Sequence, residues 1–246
     1  MSDHIRSLSD VAARSLDPGS DHYTAYVGPP DQYDLMGASQ FALLIALGLR
    51  DSHRVLDFGC GSLRAGRLLI PYLARGNYHG VEPNSWLIQD AIGRQIGRDQ
   101  IALKWPHFYS FDDFVPERCG INFDYVVAHS IFSHAGRDIT ERVLRGFARI
   151  LSKTGMALVT FIHPGQGGVD ECRESGWVYP HCVAYPPEII AEMIDRGQLF
   201  GRTIPWFHPR QTWYVLAKDP SRLPGPEVDH CLRGAMLNVP EWHDSV

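Results

Sequence analysis

VLDFGCGSLRAGR, residues 55–67, sets the architecture of this chain. A short apolar run, Val55, Leu56 and Phe58, is broken by one acid, Asp57, and stops at the glycine turn Gly59-Cys60-Gly61. The helix-like run LRAGRLLIPYLA follows. Strand, glycine turn and helix let a backbone approach a ligand closely and point helix N–H groups at it. About twenty residues beyond the turn a second apolar run, YHGVEP, ends in an acid, Glu82. That spacing predicts a carboxylate at the tip of a neighbouring parallel strand, within reach of a ribose diol. Together the two runs predict a nucleotide-cofactor site.

Working outward, residues 1–22 are polar and mixed and read as a frayed helix. In YTAYVGPPDQYD, Pro29-Pro30 enforces an extended turn. Asp34 is expected to cap the helix LMGASQFALLIALGL, which Gly48 ends. This helix precedes the first strand, so it is expected to lie across the cofactor mouth, with Tyr23, Tyr26, Tyr33 and Gln40 toward it. Strand one is read over residues 53–58, its helix over 63–74 and strand two over 77–82. Asn84 or Ser85 is expected to cap SWLIQDAIGRQIG. Strand three falls in residues 100–110, limited by Pro106, and strand four in 122–130. Thr140 is expected to cap ERVLRGFARIL, and strand five runs over 155–162. Strands separated by helices mean a parallel, doubly wound sheet.

After strand five the pattern changes. Residues 163–187 are rich in Gly, Pro and aromatics and too long for an ordinary connection; such loops carry function. A helix, PEIIAEMIDRG, leads to GRTIPWF and QTWYVLA, joined through HPR. A tight connection joins only antiparallel strands, so the sheet is expected to end in a hairpin. The layout is an N-terminal helical cap over the cofactor site (1–50), a sheet domain (51–218) with a substrate loop (163–187), and a proline-rich tail (219–246).

With 246 residues and 44% apolar content, the chain can bury a large core. The formal charge is −5 with acids and bases interspersed, and no basic block invites nucleic acid. Five cysteines without tight CxxC spacing read as reduced thiols in a cytoplasm. MSDHIRSLSD lacks the apolar core of a signal peptide, and no run is long and apolar enough to span a bilayer. The expected partner is a small molecule, with no nucleic acid and no membrane, for a monomer or homodimer.

A nicotinamide dinucleotide calls for GxGxxG after strand one. Here Arg64 stands at the third glycine position, and the next glycine is Gly66. An arginine at a close helix–strand contact is awkward, although positive charge near a pyrophosphate is welcome. A nicotinamide-dependent dehydrogenase therefore remains an alternative. S-adenosylmethionine has no phosphate. Its amino-acid end takes backbone N–H and carbonyl groups plus an acid for its ammonium, as Asp57-x-Gly59-x-Gly61 offers. A non-catalytic S-adenosylmethionine-binding module is the third reading.

LDFGCG, GVEP, FDYVVAHSIFSH and GMALVTF, in that order, resemble the class I S-adenosylmethionine-dependent methyltransferases over roughly residues 34–218. The resemblance implies a Rossmann-like α/β fold: a seven-stranded, mostly parallel sheet with an antiparallel last strand and helices on both faces. It implies Asp57, Gly59 and Gly61 at the methionine end, with Cys60 and Arg64 in the same turn. It puts Glu82, followed by Pro83, at the ribose hydroxyls and Phe111 and Asp112 of FDDF near adenine. Ala128 and Ser130 would border the transferred methyl. The family's third glycine is Leu63 here, and the acid and alanine common near adenine are not matched.

Methyl transfer is an in-line displacement in which the protein aligns the acceptor at about 3–3.5 Å. An acceptor that must lose a proton also needs a base, usually histidine. Among twelve histidines, His129 directly follows strand four and His163 begins the long loop; both are candidate catalytic residues. Tyr33, His134, Trp177, Tyr179, His181, His208 and Arg210 are candidate acceptor contacts. No metal is expected, because the strand-four end has no carboxylates and no His/Cys pair shows ligand spacing. The expected activity is methylation of a small-molecule acceptor. O-methylation is preferred because histidine bases serve hydroxyls; N-methylation remains open.

Overall fold

The computed structural model describes residues 2–232, with side chains from residue 4 onward. Its strands are β1 (Val55–Phe58), β2 (Tyr78–Val81), β3 (His107–Tyr109), β4 (Phe123–Ala128), β5 (Leu151–Phe161), β6 (Phe200–Ile204) and β7 (Thr212–Ala217). They form one seven-stranded sheet in the order β3-β2-β1-β4-β5-β7-β6. β2 runs parallel to β1 and β3, and β5 parallel to β4. β7 is antiparallel to both neighbours, β5 and β6. The expected sheet with its reversed last strand is the one observed. Among the described residues no helix is long and apolar enough to cross a membrane.

The helices are α1 (Ser2–Arg6), α2 (Asp10–Ala13), α3 (Tyr33–Ala46), α4 (Gly66–Tyr72), α5 (Ser85–Ala91), α6 (Arg98–Lys104), α7 (Arg137–Ile150) and α8 (Pro187–Arg196). The chain falls into two compact units, residues 1–112 and 113–246.

In the first unit, β1 and β2 are buried along their whole length, as central parallel strands should be. Four local expectations change here. α3 starts at Tyr33 without a side-chain cap, and Asp34 in its first turn instead pairs with Arg67 at 2.7 Å. Gly48 follows the C-cap Leu47 at φ +96°, the left-handed conformation that lets a helix end. The helix after the glycine turn begins only at Gly66, because residues 61–65 are used in the turn itself. Asn84 occupies the N-cap of α5 without capping it, since its amide serves Glu82. QIALK, read as strand, is helical in α6: Ile101, Ala102, Leu103 and Lys104 carry enough helix propensity, and only three residues beyond Pro106 pair as β3.

In the second unit, α7 begins at Arg137, so Thr140 is a buried residue inside the helix and not its cap. β5 begins at Leu151 rather than at residue 155, with a register shift against β4 near Phe123. The connection between β6 and β7 covers residues 205–211, longer than HPR, yet the two strands pair antiparallel as expected. The tail is tied down where it is described. Arg202 of β6 donates to the Pro224 carbonyl and forks onto both carboxylate oxygens of Asp229. Residues 233–246 of the expected tail lie outside the described residues.

Candidate active site

In the first unit the site grows from the end of β1. Gly59 and Gly61 take φ of +77° and +52°. Leu63 takes +57°, which costs a non-glycine residue roughly 1–2 kcal/mol. Leucine thus adopts the backbone a glycine would favour, and its side chain is fully buried. The N–H groups of Gly59 and Cys60 both donate to the Val81 carbonyl, so the turn is bolted to β2. A Cβ on Gly61 would lie 2.5 Å from Val27 Cγ1, and one on Gly80 would lie 2.8 Å from Cys60 Sγ. The turn therefore has room for backbone only, and Cys60 fits because β2 offers a glycine opposite it.

Two buried carboxylates flank this turn. Asp57 accepts from the Tyr78 hydroxyl at 2.8 Å. Burial raises its pKa to about 6, an effect that the Tyr78 bond and Arg64 partly offset. Glu82 Oε2 accepts from Gly61 N–H at 3.2 Å, while Oε1 accepts from the backbone and side-chain amides of Asn84. Burial raises its pKa as well, against those three donors. The donors fix the Glu82 carboxylate in one orientation and leave Oε2 acceptor capacity for a hydroxyl. An oriented carboxylate for a diol and a buried acid for an ammonium fit S-adenosylmethionine.

The N-terminal segment packs on the turn. Arg64 Nη1 donates to the Val27 carbonyl at 2.9 Å, and burial lowers the guanidinium pKa to about 10. Tyr33, expected to face an acceptor, is 3% exposed and spends its hydroxyl on the Ser62 carbonyl at 2.7 Å. Tyr23, Tyr33 and Leu87 form a small core against which Tyr26, Val27 and Trp86 pack. Pro83 is exposed. Phe111 is buried against Tyr109, with centroids 6.1 Å apart, whereas Asp112 is exposed.

In the second unit the end of β4 gathers a polar and aromatic cluster. Ala128 is buried. His129 stacks on Trp213 with centroids 5.1 Å apart and planes 11° from parallel. Its Nε2 is 2.9 Å from Nε2 of His208. Ser130 is left-handed at φ +59°; its N–H donates to Thr160 Oγ1, and its hydroxyl accepts from Gln211 Nε2 at 2.7 Å.

The long loop packs beside residues 133–138. Gly136, Arg137 and Asp138 donate to the carbonyls of Gly176, Arg173 and Glu174, and Val183 donates to that of Ser133. The buried Tyr185 hydroxyl lies within bonding distance of the Ala135 and Arg173 carbonyls. This part of the loop is thus a stitched wall. On it, Trp177 and Tyr179 are near-parallel at 6.4 Å, and both meet His134 edge-on. His134 Nδ1 donates to the His181 carbonyl at 2.6 Å, while burial lowers its pKa. The His181 ring is exposed. Arg210 is exposed, and its stem lies against Gly167, where a Cβ would meet Arg210 Cδ at 3.1 Å. Nε2 of His163 bonds the Tyr214 hydroxyl at 2.9 Å, and burial lowers the pKa of His163.

Several residues were missed by sequence reasoning. Tyr78 holds Asp57, and Gly66, not the third fingerprint position where Arg64 stands, takes the close helix–strand contact, since a Cβ there would lie 2.6 Å from Tyr78 Oη. Gly37 lets α3 approach the turn, because its Cβ would lie 2.4 Å from the Arg64 carbonyl oxygen. Gln211 and Trp213 complete the β4 cluster. The signal for Gly66 was present as the next glycine in sequence. For the β4 cluster, no local signal links residues some eighty positions apart.

A mostly parallel sheet with a reversed last strand, and a glycine turn between two buried acids, define a cofactor-binding α/β fold of the methyltransferase type. Residues 56–157 match the family described as Methyltransferase domain. The fold is similar to magnesium protoporphyrin IX methyltransferase from Synechocystis PCC 6803 with bound SAM, at TM-score 0.57 and 15% identity, covering 87% of this chain and 94% of that one. It is also similar to the CcbJ methyltransferase from Streptomyces caelestis, at TM-score 0.57 and 16% identity, covering 77% and 96%. Identities this low speak for the fold. No curated protein matches the sequence. The chain thus carries a match to a methyltransferase domain over residues 56–157 and shares the fold of these two methyltransferases.

Proposed function

We propose that the chain methylates an oxygen of a small-molecule acceptor, with histidine assistance from the end of β4. The observation that carries this reading is His129, the residue after β4, stacked on Trp213 and bonded to His208. Bound S-adenosylmethionine supplies an electrophilic methyl on a sulfonium centre. In the first unit, Asp57 and the turn Gly59-Cys60-Gly61 receive its methionine end, Glu82 and Pro83 its ribose, and Phe111 and Asp112 its adenine. Arg64 and Tyr33 act by bracing the turn and the segment over it. Residues 1–50 serve as a cap on this turn, which the packing of Val27, Tyr33 and Gly37 supports.

In the second unit, Ala128, His129 and Ser130 serve the methyl-facing side. The acceptor is held by the loop 163–187, through His134, Trp177, Tyr179 and His181, and by His208 and Arg210. His163 assists from the start of that loop. A flat aromatic wall meeting His134, with the Arg210 cation near enough to act on that imidazole, suits a small planar acid or hydroxyl compound better than a macromolecule. The Synechocystis relative carries a small molecule in its name, which agrees with this class. The test is transfer of labelled methyl from S-adenosylmethionine to a panel of small hydroxyl and carboxyl compounds. His129→Ala, by loosening the alignment of the acceptor, should slow turnover about tenfold or more while affinity for S-adenosylhomocysteine stays within about twofold. Unchanged turnover across all accepted compounds would remove His129 from the reaction.

A further inference from the structure

The two imidazoles at the end of β4 have one consistent proton assignment. The backbone N–H of Arg210 donates to Nδ1 of His208 at 3.1 Å. A backbone amide is always the donor, so Nδ1 of His208 is a lone pair, and neutral His208 carries its proton on Nε2. That nitrogen lies 2.9 Å from Nε2 of His129. A hydrogen bond needs one donor and one acceptor, so Nε2 of His129 accepts, and neutral His129 carries its proton on Nδ1. The 11° stack on Trp213 fixes the plane of the ring whose Nε2 faces His208.

We propose that His208 is a positioning residue that locks His129 in the Nδ1–H tautomer and so withholds it from acting as a base. This rests on the reading of His129 as an acceptor-side residue. Both lone pairs of the neutral pair are occupied, one by the Arg210 amide and one by His208. Removing a proton from an alcohol or phenol would need one of them. An acceptor that arrives already ionised needs neither. Carboxylates are ionised at neutral pH, whereas alcohols and phenols are not. The tautomer therefore selects a carboxylate acceptor, and Arg210 on the same connection offers it a cation. Transfer then forms the ester C–O bond from a carboxylate lone pair, breaks the sulfonium C–S bond, leaves that electron pair on sulfur and moves no proton.

The test is nitrogen NMR of the full chain with 15N-labelled histidine, at mildly alkaline pH and without ligand, His129 being assigned by its loss in His129→Gln. Wild type should show His129 as a single Nδ1–H tautomer. His208→Ala should convert it to a mixture of both tautomers, with the His134 and His163 signals unmoved as the control for folding. His208→Gln, whose side-chain amide can donate from the same place, should restore the single form. An Nε2–H tautomer of His129 in wild type, or no change in His208→Ala, overturns the lock. The acceptor class is read separately by offering matched carboxylic acids and phenols. Alkali-labile methyl label on the acids is expected; label on phenols that disappears in His129→Ala overturns the withheld base. The tautomer readout needs no acceptor, so its failure is distinct from a failure of the proposed methylation.

Discussion

The two units build their chemistry by different means. Around the glycine turn of the first, the backbone is the functional surface: left-handed residues, amides bonded to β2, and two acids whose places follow from strand ends. At the end of β4 in the second, side chains from the distant segments 129–130 and 208–213 make the cluster by stacking and by one imidazole pair. A site made of backbone conformation is written locally and tolerates few residue types. A site made of side chains on separate connections can be rewritten by changing loops. In the proposed reading the first arrangement serves an unchanging cofactor and the second a particular acceptor.

The largest expected effect tests how far function has displaced stability in the backbone-built region. Asp57 has a folded pKa of about 6, raised above its ordinary value of 3.8 by burial. Folding therefore favours its protonated form, and that stability is present at pH below 3.8 and lost as pH rises through about 6. Asp57→Asn keeps the shape and removes the charge. Without cofactor it should stabilise the protein by up to about 3 kcal/mol at alkaline pH and by almost nothing in strong acid. Urea melts at several pH values read this directly. A pH-independent effect would show that Asp57 is not a strained acid.

Next comes Gly66→Ala, whose Cβ would lie 2.6 Å from Tyr78 Oη and 3.1 Å from Leu63. Overpacking there should cost about 1–3 kcal/mol in denaturant stability. A neutral outcome would mean that the turn relaxes more readily than backbone-built function requires. The smallest effects compare single hydroxyls in the two units. Tyr33→Phe removes the bond to the Ser62 carbonyl, and Tyr185→Phe removes the bond bracing the loop wall. Each should cost about 0.5–1.5 kcal/mol. Tyr33→Phe should also weaken S-adenosylhomocysteine binding, and Tyr185→Phe should leave it alone, as titration calorimetry on both variants would show.

The same contrast explains what the sequence disclosed. The places of Asp57, Gly59, Gly61 and Glu82 in the fold were legible because each is constrained by its neighbours in the chain: a strand end, a left-handed turn, the tip of the next parallel strand. The reversed last strand was legible from a connection too short for a crossover. The role of Gly66 was not read from the sequence because the turn runs longer than a dinucleotide fingerprint, with Leu63 left-handed inside it. QIALK was misread because its three apolar residues suit either element, and helix propensity won. Thr140 and Asp34 look like caps in sequence, yet α7 begins earlier and Asp34 finds Arg67. The pairing of His129 with His208 was out of reach, because nothing local records which histidine a folded loop returns.

In the proposed cofactor site the oriented carboxylate of Glu82 receives the ribose of S-adenosylmethionine beside the glycine turn. Titration calorimetry of S-adenosylhomocysteine against wild type and Glu82→Ala tests this most directly. Binding in the micromolar range is expected for wild type, weakened by about 1–3 kcal/mol in the variant through loss of charge-assisted bonds. Wild-type protein that does not bind, or a Glu82→Ala variant that binds as tightly as wild type, would contradict it.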